Sequence, residues 1–431
     1  MPSWKSAPKP KPSGVLTKGG SSVILIGRPL KGWKRWTRRR LAVMQCQVIG
    51  SALDTALRFL SATTVGARTT LPILSHILLD AQSGQLRMAA TNLNFWLEWT
   101  VAAQVDEPGC IAVAGKEWRA LVSSLDNELV RLEAPNEVDT SGRMTVRFGK
   151  SEYHLPILPA EEFPVPTEAV WDEPFEVDGT SLAQAVRKVL FAASSDPTMG
   201  IYTGVHFRKE SEQSPLDIVA TDTHRMALVT VDLDEFPPFS LTLPQQPLKV
   251  MLPLWEKVGT VRWRVSEDKH LVAWEGDQWK ATVTTLTGTF PNYRRVIPTE
   301  WAHEIVVKVG AVLTALRRMV IFRPTSKRVP QRVILRLRDE EMEMVAIEAE
   351  FGSYEEVGRE VIPIEWRSEP TAYEIAFQHP YLAEFLSVVR EGEVVVRFQE
   401  SNMQASVWQP LQDDRYRYIV MPMHLPGSEG F

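Results

Sequence analysis

The chain has 431 residues, 44% of them hydrophobic and 23% charged, with 48 Lys+Arg against 53 Asp+Glu and a formal net charge of −5. That length suits about two to four domains of roughly 100–200 residues, and the composition fills a core in each, which excludes a wholly disordered chain. Cys46 and Cys110 occur in no CxxC or Cys/His cluster able to hold zinc, and no run approaches the ~18 apolar residues of a membrane span, so a reduced, intracellular protein without membrane-spanning helices is expected.

Residues 1–43 stand apart from the rest. They hold eleven basic side chains, including Lys34, Arg35, Arg38, Arg39 and Arg40, and no acidic one; the remainder, 37 basic against 53 acidic, balances at −16. Rich in Pro, Gly and Ser, the segment is too poor in apolar surface to offset the entropy of ordering and is expected to be disordered. Three readings stay open for it. Trp33 and Trp36 among the cations suit an arm that touches nucleic acid, a solvated tail has the same composition, and Met44 is a candidate start that would make 1–43 an upstream extension.

From Met44 the sequence repeats with a period near 130. Helix-spaced apolar residues open each third at Leu53, Leu57 and Leu60, at Leu182, Val186 and Val189, and at Leu313, Leu316 and Met319. A second helical stretch recurs in each third, around Trp118 and Leu121, around Leu248, Met251 and Leu252, and around Leu382, Phe385 and Leu386. Period-two segments such as Val261–Val265, Trp279–Val283 and Val333–Leu337 predict strands between them. The expected fold class is therefore α+β, with three tandem copies of a unit in which two helices pack on antiparallel sheets. Boundaries are expected at 44–169, 170–298 and 299–431.

No catalytic motif survives inspection. Gly14 and Gly19 have the P-loop spacing, but Gly20 stands before Ser21 where the phosphate-binding Lys is needed. GxSxG and HExxH are absent, and the eight histidines show no metal-ligand spacing, so no catalytic residue, metal or cofactor is expected.

Several segments, in order, resemble the bacterial DNA polymerase III beta subunit, the sliding clamp. They are Arg68–Leu74, Leu158–Pro164, Thr221–Ala227, Phe290–Pro298 and Tyr418–Leu425, and they span nearly the whole body. The resemblance implies a non-enzymatic processivity factor: a cytoplasmic, head-to-tail homodimer whose six domains close a ring around duplex DNA. Partners implied are the replicative DNA polymerase catalytic subunit, the clamp loader, and repair polymerases, ligase and mismatch-repair proteins bearing short peptide motifs. A clamp-like scaffold paralogue that does not close on DNA is the alternative; a nucleic-acid enzyme lacks the clustered carboxylates that two-metal chemistry needs.

The resemblance also implies roles for individual residues. A peptide pocket between the second and third domains would draw on Tyr202, Thr221, Thr223, His224, Arg225 and Met226, then on Pro291, Arg295 and Val296. Its remaining walls would be Ser406, Ile419, Met421, Pro422, Met423, His424 and Leu425, with Arg225 and Arg295 donating hydrogen bonds to the peptide. Sequence-independent DNA contact would fall to Arg68 and to helix residues Arg58, Lys116, Arg119, Arg187, Lys188, Lys249, Arg317 and Arg318. Tyr153, Leu155, Ile321 and Phe322 would meet at the dimer seam. Thr223 stands where the family has glycine, which predicts an adjusted or strained turn, and Pro253 is expected to kink or shorten its helix.

Overall fold

The computed structural model describes residues 44–66, 69–135, 142–233, 235–322, 331–350 and 353–425; the basic segment 1–43 and Arg68 lie outside the described residues. A first unit runs β1 (Met44–Ile49), α1 (Gly50–Thr63), β2 (His76–Gln82), β3 (Gln85–Thr91), β4 (Phe95–Ala102), β5 (Gln104–Glu107), β6 (Gly109–Ala114), α2 (Gly115–Val122), β7 (Leu129–Ala134), β8 (Arg143–Phe148) and β9 (Ser151–Pro159). A second follows with β10 (Phe175–Asp178), α3 (Gly179–Leu190), β11 (Gly204–Lys209), β12 (Leu216–Thr221), β13 (Arg225–Val231), β14 (Phe239–Pro244), α4 (Gln245–Trp255), β15 (Thr260–Val265), β16 (Leu271–Glu275) and β17 (Trp279–Thr284). The third comprises β18 (His303–Lys308), α5 (Val309–Met319), β19 (Arg332–Arg338), β20 (Glu341–Glu350), β21 (Ser353–Pro363), β22 (Glu365–Trp366), β23 (Tyr373–Gln378), α6 (His379–Val389), β24 (Glu393–Phe398), β25 (Ser406–Pro410) and β26 (Tyr416–Val420).

The expected helices form for the expected reason. In α3, Leu182, Val186, Val189 and Leu190 make one buried stripe, and the Asp178 carboxylate caps the helix by accepting from the Ser181 amide at 2.7 Å. Within each unit the two helices pack together, α1 on α2, α3 on α4 and α5 on α6. One hydrogen bond ties each pair: the amide that opens the first helix donates to a carbonyl just past the second. It recurs as Gly50 to Glu128 (2.8 Å), Gly179 to Gly259 (3.2 Å) and Val309 to Gly392 (3.0 Å). Pro253 lies inside α4 without shortening it, since the helix continues to Trp255 and matches α6 at 11 residues.

Sheets run across unit boundaries. β17 pairs antiparallel with β4, Trp279 opposite Trp99 and Val283 opposite Phe95, so the first and second units share a 13-stranded sheet. β13 pairs in the same way with β26, Arg225 opposite Val420 and Val229 opposite Tyr416, inside a nine-stranded sheet. Helices follow the sheets, with α1 against α4 and α3 against α6. By position in the repeat, β4, β13 and β21 are equivalent, as are β9, β17 and β26. β21 is the edge of a four-stranded sheet, and the first half of β9 pairs with β8 alone.

The second unit's core is an indole cluster. Trp274 meets Trp255 edge-on at 4.9 Å and Trp263 at 5.4 Å, all three are fully buried, and their N–H groups have no hydrogen-bond partner among the described residues. Packing of ring on ring is what holds this core. Trp274→Ala, which removes the central ring, is expected to cost about 3–5 kcal/mol in chemical denaturation; a loss below 1 kcal/mol would show that the cluster closes over the gap.

The β12–β13 turn keeps the left-handed backbone that favours glycine: Thr223 has φ = 78°. Neighbouring side chains impose it. The Thr221 hydroxyl accepts from the Thr223 amide at 3.1 Å, and one Asp222 carboxylate oxygen accepts from the His224 and Arg225 amides at 3.0 Å. A β-branched residue is strained there. Thr223→Gly is therefore expected to raise unfolding free energy by about 1 kcal/mol in a denaturant titration; a decrease would place the strain elsewhere.

Candidate functional site

Strand alternation gives the nine-stranded sheet two faces. Ala220, Ala227, Tyr418 and Trp408 point into the main core beneath the helices. On the opposite face Val219, Met226, Leu228, Val407 and Ile419 form a separate apolar cluster, over which Phe290 and Tyr293 fold. Met226 and Ile419 lie directly opposite each other across the junction of the second and third units.

The chain after β26 is stitched over this junction. The Met421 amide donates to the His224 carbonyl at 2.9 Å and the Met423 amide to the Ala376 carbonyl at 2.7 Å. Met423 and Leu425 consequently pack on Ile334, Val345, Ile347 and Ala376 of the third unit. Met421 and Val296 stay 43% and 59% exposed, unusual for apolar side chains beside a cluster of their own kind. His224, Pro291, Arg295 and His424 are exposed as well, and Tyr202 and Pro422 are half-buried. Thr221 is buried, its hydroxyl donating to the Arg225 carbonyl at 2.6 Å.

Two expected pocket residues are buried. Ser406 is completely buried on the core face of β25, where its hydroxyl accepts from the Trp408 indole at 3.0 Å, because the alternation that turns Val407 outward turns Ser406 inward. Arg225 is also buried, with its guanidinium turned toward the helix layer. Its guanidinium bonds Asp222 at 3.0 Å, Glu384 of α6 at 2.6 Å and the Phe191 carbonyl at 3.0 Å, and it lies 4.3 Å over the Tyr381 ring. Burial works against that cation, while Tyr418, Glu384 and Asp222 raise its pKa above the usual arginine value. Arg225 is a strut between units.

Sequence patterns did not reveal what fixes the connection over the cluster. Asp217, buried on the outer side of β12, accepts from the Tyr293 hydroxyl at 2.6 Å, from Arg294 at 2.8 Å and from Thr230 at 2.8 Å. The available signal was one carboxylate inside an apolar strand, Leu216–Thr221. His206 stacks on Phe290 at 4.4 Å, and burial pushes its pKa down to about 4, so this ring stays neutral under the loop.

The helix cations differ in how free they are. Arg58 and Arg119 share Asp54, Arg187 chelates Glu256 at 2.6 and 2.9 Å, and Arg318 holds Glu360 at 3.0 Å. Lys188 departs from expectation: it bonds Asp413 at 2.6 Å beside the Tyr416 ring, within the contact between the second and third units. Lys116, Lys249 and Arg317 are exposed and carry no ion pair among the described residues.

Of the residues expected at a dimer seam, Tyr153, Ile321 and Phe322 are 48%, 77% and 44% exposed. Val361, on the free edge strand β21, shares this exposure at 52%. Leu155 does not: at 8% exposure it is part of the first unit's own core. Among the described residues no group of His, Cys, Asp or Glu is placed to hold a metal ion.

Comparison with known proteins matches the chain in three consecutive blocks. Residues 51–167, 176–292 and 294–424 fit the N-terminal, central and C-terminal domains of the DNA polymerase III beta subunit. The beta sliding clamp of Synechococcus elongatus is 30% identical over 382 residues, covering 86% of this chain and 97% of that protein. That of Caulobacter vibrioides is 28% identical over 377 residues, covering 84% and 95%. The crystal structure of the Caulobacter crescentus beta sliding clamp superposes with a TM-score of 0.77 at 25% identity, over 90% of this chain and 100% of that one. The Thermotoga maritima beta subunit shares the fold, with a TM-score of 0.77 at 23% identity over 89% and 100%. Three repeated units, strands that join them and a complete ordered set of domain matches make this chain a member of the DNA polymerase III beta subunit family, the bacterial sliding clamps.

Proposed function

We propose that the chain acts as a DNA sliding clamp, a non-catalytic processivity factor that encircles duplex DNA and tethers the replicative polymerase and other replication and repair proteins to it. The observation that carries this reading is the pair of unused strand edges. β4 is joined by β17 and β13 by β26, which leaves β21 and the start of β9 as the unjoined members of the same series. Two chains head to tail would make each β21 the neighbour of the partner's β9 and close six units into a ring. Tyr153, Ile321, Phe322 and Val361 supply the apolar surface such a lasting seam requires.

The units are taken as 44–169, 170–298 and 299–431. In the ring their helices line the hole, and Lys116, Lys249 and Arg317 provide the free charge for phosphate contact, with Arg68 added by family resemblance. Arg58, Arg119, Arg187 and Arg318, already shared with carboxylates, contribute less. Contacts of this kind are blind to sequence and weak enough for movement along the duplex. Retention comes from topology. The outer cluster rimmed by Met421 and Val296 is the docking site for partner peptides: it presents apolar surface at a junction and, in His224, Arg295 and His424, nearby hydrogen-bonding groups. A cytoplasmic location goes with this role, and no described helix is long and apolar enough to cross a membrane.

Sedimentation at micromolar concentration should give a dimer of the 48.7 kDa chain, and the double variant Ile321→Asp/Val361→Asp a monomer. The dimer, once loaded, should stay on circular DNA and run off linear DNA; equal loss from both would sink encirclement and favour an open scaffold. For the pocket, Met421→Ala with Val296→Ala should weaken a polymerase-derived peptide by about tenfold, the loss of about 1.4 kcal/mol of apolar contact, while leaving the sedimentation unchanged. Undiminished peptide affinity would remove the pocket assignment.

A further inference from the structure

Beside the connection that covers the outer cluster lies a cleft of about 730 Å³ that shares Leu228 and Val407 with that cluster and whose other walls the assignments above do not use. Leu228 and Val407 contribute its apolar floor, and Trp301, Arg294, Arg397, Arg415 and Arg417 stand around it. Most of these cations are committed. Arg294 is held by Asp217 and Glu210, Arg415 by Asp232, and Arg397 by Glu304 at 2.7 Å and Gln409 at 2.9 Å with its guanidinium 4.6 Å over the Trp301 ring. Arg417 differs. It is exposed, and its side chain has no ion pair or hydrogen bond among the described residues. Of the carboxylates in the lining, Asp217 is saturated by Tyr293, Thr230 and Arg294, while Asp414 stands exposed.

We infer that this cleft receives an acidic flank of the peptide whose hydrophobic anchors sit in the pocket, a carboxylate meeting Arg417 and an apolar side chain lying on Leu228 and Val407 against Trp301. The inference rests on the pocket reading. Continuity supports it: Met226 faces Ile419 in the pocket cluster, and two residues along the same strands Leu228 faces Arg417. That step is about 7 Å, so about two further peptide residues span it. The charge pattern selects a peptide over single-stranded nucleic acid, which needs a run of free cations along its backbone, whereas this cleft offers Arg417 above an apolar floor. An indole fixed by a stacked guanidinium presents a rigid face at little entropic cost.

The test uses the full-length protein and fluorescence anisotropy with a labelled anchor peptide, alone and extended at either end in turn by Asp-Asp-Leu or by Lys-Lys-Leu. At low salt, one of the Asp-Asp-Leu extensions should tighten binding about fivefold, the equivalent of about 1 kcal/mol for an exposed pair with its apolar contact. Arg417→Ala should abolish the gain and leave the anchor peptide unaffected, Trp301→Ala should reduce it, and 0.5 M salt should erase most of it. No gain from either acidic extension, an equal gain from Lys-Lys-Leu, or a gain that persists in Arg417→Ala would overturn the inference while the pocket stands. An anchor peptide that fails to bind would overturn both. Arg417-dependent binding of an oligothymidylate with no acidic-peptide gain would give the cleft to nucleic acid and overturn the inference as well.

Discussion

Everything else in this molecule depends on antiparallel strand pairing carried across unit boundaries. A seam made by a backbone ladder differs from one made by side chains alone, because alternate residues on either side commit their amide and carbonyl to it, and the register fixes the angle between neighbours. Trp279 opposite Trp99 and Arg225 opposite Val420 are statements about orientation as much as adhesion. The helices inherit that orientation, α1 meeting α4 and α3 meeting α6 on one side of the sheets. The apolar cluster on the other side exists because β13 and β26 are held edge to edge.

Arg225 shows how the two sides are linked. Its strand edge lies at the seam, its side chain passes through the interior to Glu384 on α6 and the Phe191 carbonyl past α3, and its own turn carries the amides fixed by Asp222. One buried cation thus holds the turn beside the pocket and the helix layer together. Removing either carboxylate would leave a charge poorly compensated in a desolvated place, which is why such a strut resists drift in position.

Much of the architecture was legible in the sequence because it repeats. Leu53, Leu182 and Leu313 mark equivalent helices at spacings of 129 and 131, and period two in Val261–Val265 and Trp279–Val283 becomes β15 and β17. Side-chain direction was less legible. Ser406 and Val407 are neighbours in sequence, yet only the structure fixes which of them faces the core, since a one-residue shift of register exchanges them. The commitments of Arg225 and Lys188 were invisible for another reason: their partners, Glu384 and Asp413, lie 159 and 225 residues away. Free and neutralised cations look alike in a sequence, so a tally of basic residues on helices overstated the charge available for DNA.

The two edges left unjoined in the repeated series, β21 and the start of β9, come from different places in the unit, and in the proposed ring each would meet the other and not its own copy. Edges of that kind join head to tail, and head-to-tail joining ends in a closed ring only when the turn at every seam sums to a full circle; otherwise it grows into an open filament. In the proposed ring the seam angle set by the internal ladders would therefore guard against polymerisation as well as shape the hole. In the proposed ring, a substitution that altered the twist of β17 on β4 without weakening it would change the closure angle, and with it the choice between a finite assembly and a fibre.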